Sequence, residues 1–144
     1  MEIKSVKRDS KGAQEGRWIG DIPNMPDVRL KVRGLSCFAA TSLRRAKERA
    51  VPREGRERGV LKLEVEQRIS REVLHEAILM DWEGLADNGS EFPYDFDSAG
   101  LLIKNPDYDI FAGAVAWAAG VVDTEDKEVE DDQSGNSGKS SKLA

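Results

Sequence analysis

Leu61, Val65, Ile69, Val73 and Ala77 recur at every fourth position, with Leu74 and Ile78 alongside. A helix gathers such residues on one side, so the spacing predicts an amphipathic helix over Val60–Trp82 whose apolar stripe has to be covered by another layer of structure. Gly84 follows as the expected C-terminal stop, and Trp82 is placed to pin that turn against a later helix. The same stretch holds His75, the single histidine of the chain, so most catalytic hypotheses pass through this segment.

The first third has a different period. In Val28-Arg29-Leu30-Lys31-Val32-Arg33 apolar and basic residues alternate, the mark of a half-buried strand, and Arg17–Ile22 is a second strand-like run. Pro23 and Pro26 make the link between them a turn, and Met1–Val6 is a sparse candidate for a third strand. Ser36 is the expected cap of a helix over Phe38–Ala50, with Phe38, Ala39, Leu43, Ala46 and Ala50 on its apolar side and Pro52 as its stop. Arg53–Gly59 reads as a charged connector and Asp87–Pro93 as a loop. Asp97 is the expected cap of a short helix over Ser98–Lys104. A final helix starts at Asn105-Pro106-Asp107 and runs to Val122, its small residues suited to burial or close approach.

At 144 residues the chain has room for one domain with a modest core. Residues 123–144 change character: Asp123–Asp132 holds seven acidic residues and one lysine, and a Ser/Gly/Lys-rich stretch follows. So little apolar surface predicts a disordered acidic tail. The expected fold class is therefore α+β, a small N-terminal antiparallel sheet followed by a bundle of about three to four helices over residues 1–122.

The net charge of −5 conceals a polarity. Residues 1–80 carry a net +6, residues 81–132 a net −13, and the last stretch adds +2. Opposite signs on two halves let one copy attract the next, head to tail. The expected contact joins the basic Arg44–Arg58 region to the acidic 81–109 region, with Arg44, Arg45, Arg49, Asp95 and Asp97 as the candidate residues. The bland reading is that these are solvated charges.

Catalytic signals are thin. Cys37, the lone cysteine, opens a helical pattern among small apolar residues, nothing beside it activates a thiolate, and a Cys37–His75 dyad would require the fold to join two separate segments. The lone cysteine points weakly to a reducing compartment. His75 borders the apolar stripe, where a packed or surface role is the simpler one. Asp95, Asp97, Asp107 and Asp109 lack the spacing of a calcium loop. Gly135–Ser140 echoes the end of a P-loop without its spaced first glycine, strand or helix. No cofactor or metal is expected and no enzyme is indicated. With no basic-then-apolar leader and no apolar run near 18 residues, a cytoplasmic, non-membrane protein is expected. Arg44–Arg58, with seven positive and three negative residues, raises the alternative of a small nucleic-acid-binding regulator. The interspersed glutamates, the absence of aromatics and the acidic total charge weigh against it.

Three segments taken together carry a resemblance. They are Trp18-Ile19-Gly20-Asp21-Ile22-Pro23-Asn24-Met25-Pro26-Asp27-Val28, then Leu74-His75-Glu76-Ala77-Ile78-Leu79-Met80-Asp81-Trp82-Glu83-Gly84-Leu85, then Asn105-Pro106-Asp107-Tyr108 with Val115-Ala116-Trp117-Ala118-Ala119. In order and spacing the chain resembles, over residues 15–122, the tail assembly chaperones of long-tailed, non-contractile phages and related prophages. The resemblance implies a non-enzymatic protein of the bacterial host cytoplasm that is absent from the finished virion. Such a chaperone binds the tape measure protein, keeps it soluble and helps recruit tail tube subunits. The resemblance also implies a longer product made by a programmed frameshift near the end of the gene, whose added domain engages the tube protein. Gly138-Lys139 suits a slippery codon run at that place.

Overall fold

A computed structural model describes residues 1–124, so the acidic tail expected beyond them lies almost wholly outside the described residues. The elements follow in the order α1 (Ser10–Glu15), β1 (Arg17–Ile19), β2 (Arg29–Val32), α2 (Phe38–Arg49), β3 (Arg56–Glu57), β4 (Val60–Leu61), α3 (Leu63–Val73), β5 (Leu79–Glu83), β6 (Ala86–Asp87), β7 (Ser90–Glu91), α4 (Phe96–Lys104) and α5 (Asp109–Thr124). The expected α+β class is what the structure has.

The alternating strands pair as read. β1 and β2 are antiparallel, with Arg17 opposite Val32 and Ile19 opposite Leu30. The third strand is not the N-terminal segment, which forms a short 3₁₀ turn over Ile3–Val6. It is β5, drawn from the middle of the chain, so the sheet order is β1-β2-β5. Leu30 lies opposite Trp82 and Val32 opposite Leu79, with a bulge between Lys31 and Val32. Paired residues of an antiparallel sheet share a face, and Ile19, Leu30 and Trp82 form a buried row across it. α5 lies against this face, and its Phe111 meets Trp82 edge-on at 5.7 Å. Trp82 does pack on the final helix as expected, but from a strand.

The long helix predicted over Val60–Trp82 is thus four elements: β4 takes Val60 and Leu61, and α3, a π turn and β5 follow. Its stripe holds through α3 into a π turn at Leu74–Ile78, with Ile69, Val73, Ala77 and Ile78 buried. Beyond it the backbone leaves helical space because β2 offers an open edge. The amide of Arg33 donates to the carbonyl of Ile78 at 3.0 Å, and its guanidinium donates to that of Ala77 at 3.0 Å. Helix-end carbonyls that would otherwise be orphaned are satisfied there, and tertiary pairing overrides the local period. Gly84, with φ +92°, is no helix cap. An added Cβ would meet the carbonyl of Asp27, so Gly84 is a close-approach glycine of the sheet.

Other boundaries shift for local reasons. α1 carries almost no apolar residue and so no periodic signal; the Asp9 carboxylate caps it by accepting from the Gly12 amide at 3.0 Å. Cys37, not Ser36, caps α2, its Sγ accepting from the Ala40 amide at 3.4 Å. Ser36 instead donates its hydroxyl to Asp123 at 3.1 Å, tying the start of α2 to the end of α5. Asp95, not Asp97, caps α4 through the Ser98 amide at 3.0 Å. Arg53–Gly59 is no bare connector: a 3₁₀ turn leads into the β3–β4 hairpin, turned by Arg58 and Gly59 at φ +54° and +82°. The expected loop at Asp87–Pro93 holds a second hairpin, β6–β7, turned by Asn88 and Gly89 at φ +51° and +81°. Both have the positive-φ pair of a type I′ turn.

Candidate protein-docking surface

The face that α2 turns inward differs from the one read in the sequence. Phe38 is 75 % exposed and Ala39, Ala46 and Ala50 are also exposed, whereas Ala40 is buried and Leu43, Arg44 and Lys47 are half-buried. Charge explains the rotation. The Lys47 ammonium sits 3.0 Å from Glu72 and 3.3 Å from Glu76, and Glu72 also accepts from Arg68 at 3.2 Å. The hydrogen bond to Glu72 outweighs burial and raises Lys47 above its ordinary range. For Glu72, burial opposes ionisation, but hydrogen bonds from Lys47 and Arg68 overcome it and hold the carboxyl below the ordinary range.

The predicted contact residues are dispersed. Arg45 and Arg49 are exposed on α2. Arg44 is half-buried, and its guanidinium donates to the Ser70 hydroxyl at 3.2 Å. Asp95 is exposed but committed to its cap, and Asp97 stands exposed in the first turn of α4. No ion pair joins the basic group to the acidic group within the described residues. Of the basic stretch, Lys47 is already paired and Arg56 turns inward onto the Glu48 carbonyl.

Cys37 and His75 are each engaged elsewhere. Cys37 is buried at its cap. The His75 ring stacks on Phe96 at 4.1 Å, and its Nε2 lies 2.8 Å from the Phe96 carbonyl. A carbonyl only accepts, so Nε2 carries the proton. His75 is 6 % exposed. Among the described residues no group of three or more His, Cys, Asp or Glu is arranged to hold a metal, and no helix is long and apolar enough to cross a membrane.

The final helix is where the sequence places it, but it carries an exposed stripe that the sequence does not announce. Ala112, Ala114, Val115, Ala118, Ala119 and Val122 bury one broad face. On the other side Ile110 is 60 % exposed and Trp117 41 % exposed, with Gly113 between them. Positions i, i+3 and i+7 fall on one side of a helix, and open space surrounds Gly113. Beside this stripe lies an open groove of about 570 Å³, walled by Arg44 of α2 and by Leu63, Glu66, Ser70 and Arg71 of α3, and floored by Ala112 and Gly113 of α5. The signal was present in the 3-4 spacing of Ile110, Gly113 and Trp117, but the surrounding alanines made the whole helix look like core.

The fold defines a small α+β domain whose central apolar helix leaves one stripe uncovered. Residues 38–136, more than half of the chain, match the YdaY prophage protein family, and the chain belongs to it. The match opens at the first residue of α2, so β1, β2 and the Trp18 segment lie outside it. No curated protein and no solved structure matches the chain.

Proposed function

We propose that this prophage protein is a tail assembly chaperone. In this reading it holds the tape measure protein in the host cytoplasm, keeps it soluble until tube subunits arrive, and leaves before the virion is complete. A longer frameshifted product sharing this domain recruits the tube protein. The observation that carries the reading is the uncovered stripe of α5. A large aromatic and a branched aliphatic side chain stand in solvent, on a helix whose other face is the core, beside an open groove. Large aromatics exposed next to a recess are the usual anchors of protein interfaces. A long helical client with apolar surface is the kind of partner such a stripe and groove suit, through the helix-in-groove mode. Prophage family membership and the three-segment resemblance supply the biological side.

Co-purification is the direct test. The tagged chain is co-expressed with the longest coding region downstream of its gene, and the eluate is examined for that product. Recovery of a complex that survives washing supports the reading. A client that elutes in none of the fractions containing the chain refutes it. Mass spectrometry of the same lysate tests the frameshift: a longer product sharing residues 1–124 is expected.

A further inference from the structure

α4 has an uncovered side of its own. Ala99, Gly100 and Ile103 are buried, while Asp97, Leu101 and Lys104 are exposed, Leu101 at 75 %. Their i, i+4, i+7 spacing makes a ridge with an acid at one end, a leucine in the middle and a base at the other, about 10 Å from end to end. Neither Asp97 nor Lys104 has an ion-pair partner among the described residues.

The groove beside α5 has the complementary arrangement. Arg44 donates to Ser70 at 3.2 Å and Arg71 donates to the Ile103 carbonyl at 2.6 Å, both neutral acceptors. Neither guanidinium meets a carboxylate among the described residues. Two carboxylates, Glu66 and Asp109, line the same groove without an ion pair among the described residues, Glu66 about 7 Å along α3 from Arg71. Leu63, 66 % exposed, and Gly113 supply apolar surface. Arg44 and Arg71 are half-buried, whereas Glu66 is exposed; half-buried guanidiniums without an ion pair are poorly solvated, and a partner carrying matched charges relieves them. α4 contributes no residue to the groove lining, and Arg71 at the groove edge reaches the Ile103 carbonyl of α4, so ridge and groove are neighbouring sets of different residues.

We propose that the α4 ridge of one copy seats in the groove of the next, with Leu101 over Gly113, Asp97 toward Arg44 and Arg71, and Lys104 toward Glu66. Such a contact is heterologous: each copy keeps a free ridge and a free groove, so association continues into rings or open arrays. It goes beyond the chaperone reading and does not depend on the identity of the client; because ridge and client would both cover Gly113, self-association and client binding alternate at this groove.

The test is sedimentation velocity of the full chain over a concentration series at low and high salt. Wild type is expected to form species larger than a dimer at low salt and to shrink in about 1 M salt, where charges are screened within about 3 Å. Leu101→Lys, at a site three-quarters exposed and therefore tolerant in folding, is expected to abolish association. Asp97→Lys and Arg44→Asp are each expected to remain monomeric. Mixed together they are expected to associate again, since Asp97 of one meets Arg44 of the other and the two reversed charges match in turn. A thermal melt of each variant separates loss of contact from loss of fold. A wild type that stays monomeric at every concentration overturns the inference, as do variants that assemble like wild type or a mixture that fails to pair. A monomer that still co-purifies with the downstream product refutes only this contact. An assembling chain that binds no client refutes only the chaperone reading.

Discussion

At the scale of single residues, His75 and Gly100 are made for each other. The imidazole lies across Phe96 and Gly100 of α4, and a Cβ built on Gly100 would stand 2.6 Å from His75 Cε1 and 2.9 Å from Nε2. Gly100→Ala is therefore expected to destabilise the fold by about 1–3 kcal/mol through overpacking. The cost should fall sharply in a His75→Ala background, where the ring is gone. Urea titration of the four proteins of this cycle measures it, and an unchanged cost in both backgrounds would show that ring and glycine do not interact. This contact was half legible. A histidine bordering an apolar stripe reads as packed, and it is; that its partner would be a glycine across a later helix has no trace in local sequence. Trp82 was similar: its contact with the final helix was readable, but its place on a strand was not. The Trp82 indole N–H donates to the Phe92 carbonyl at 2.7 Å, a partner supplied by the chain beyond β7.

At the scale of elements, the informative failure is the helix read over Val60–Trp82. The four-residue period was real through Ala77. Nothing local announced that the open edge of β2, more than forty residues away in sequence, would claim Leu79–Glu83 as a strand. Arg33 holds that junction, donating to the carbonyls of Gln14 at 2.9 Å and Ala77 at 3.0 Å. Arg33→Met keeps the stem and removes both bonds, and is expected to cost about 1–3 kcal/mol in chemical denaturation. A value within error of zero would remove Arg33 from this role. The α2–α3 pairing makes a second prediction, with a sign. The Glu72 carboxyl is depressed below 4.5 in the folded chain, so its contribution is present above that pH and is lost as the pH falls through the folded value. The Lys47 ammonium is raised above 10.5, so its contribution is present below that pH and is lost as the pH rises through the folded value. Glu72→Gln should therefore be less stable than wild type by about 1 kcal/mol near neutrality, with the gap closing in acid. A gap equally wide near pH 3 would exclude the ion pair as its source. The β1–β2 pairing and the span of α2 were legible because alternation and a proline stop are local signals. The inward face of α2 was not, because it is set by where Glu72 and Glu76 stand.

At the scale of the whole molecule, one helix serves two layers. α5 fills the core with alanines and valines and leaves Ile110, Gly113 and Trp117 outside, beside a groove whose charged side chains form no ion pair among the described residues. The charge polarity that the sequence displays is only partly expressed: Lys47 is satisfied internally, while Arg45, Arg49 and Asp97 remain in solvent. Of the residues expected to make contacts, Arg44 lines the groove and Asp97 stands on the exposed side of α4. Arg45 and Arg49 stand away from the groove lining, and Asp95 is occupied by its cap. That the uncovered stripe of α5 holds the tape measure protein is the proposal to be tested. The most direct measurement is the soluble fraction of the downstream long coding product when expressed alone, with this chain, or with an Ile110→Glu/Trp117→Glu variant, all at matched levels. Both sites are exposed, so the variant should melt within about 1 kcal/mol of wild type. The account predicts a client largely insoluble alone, soluble with wild type, and insoluble again with the variant. A client equally soluble in all three would contradict it.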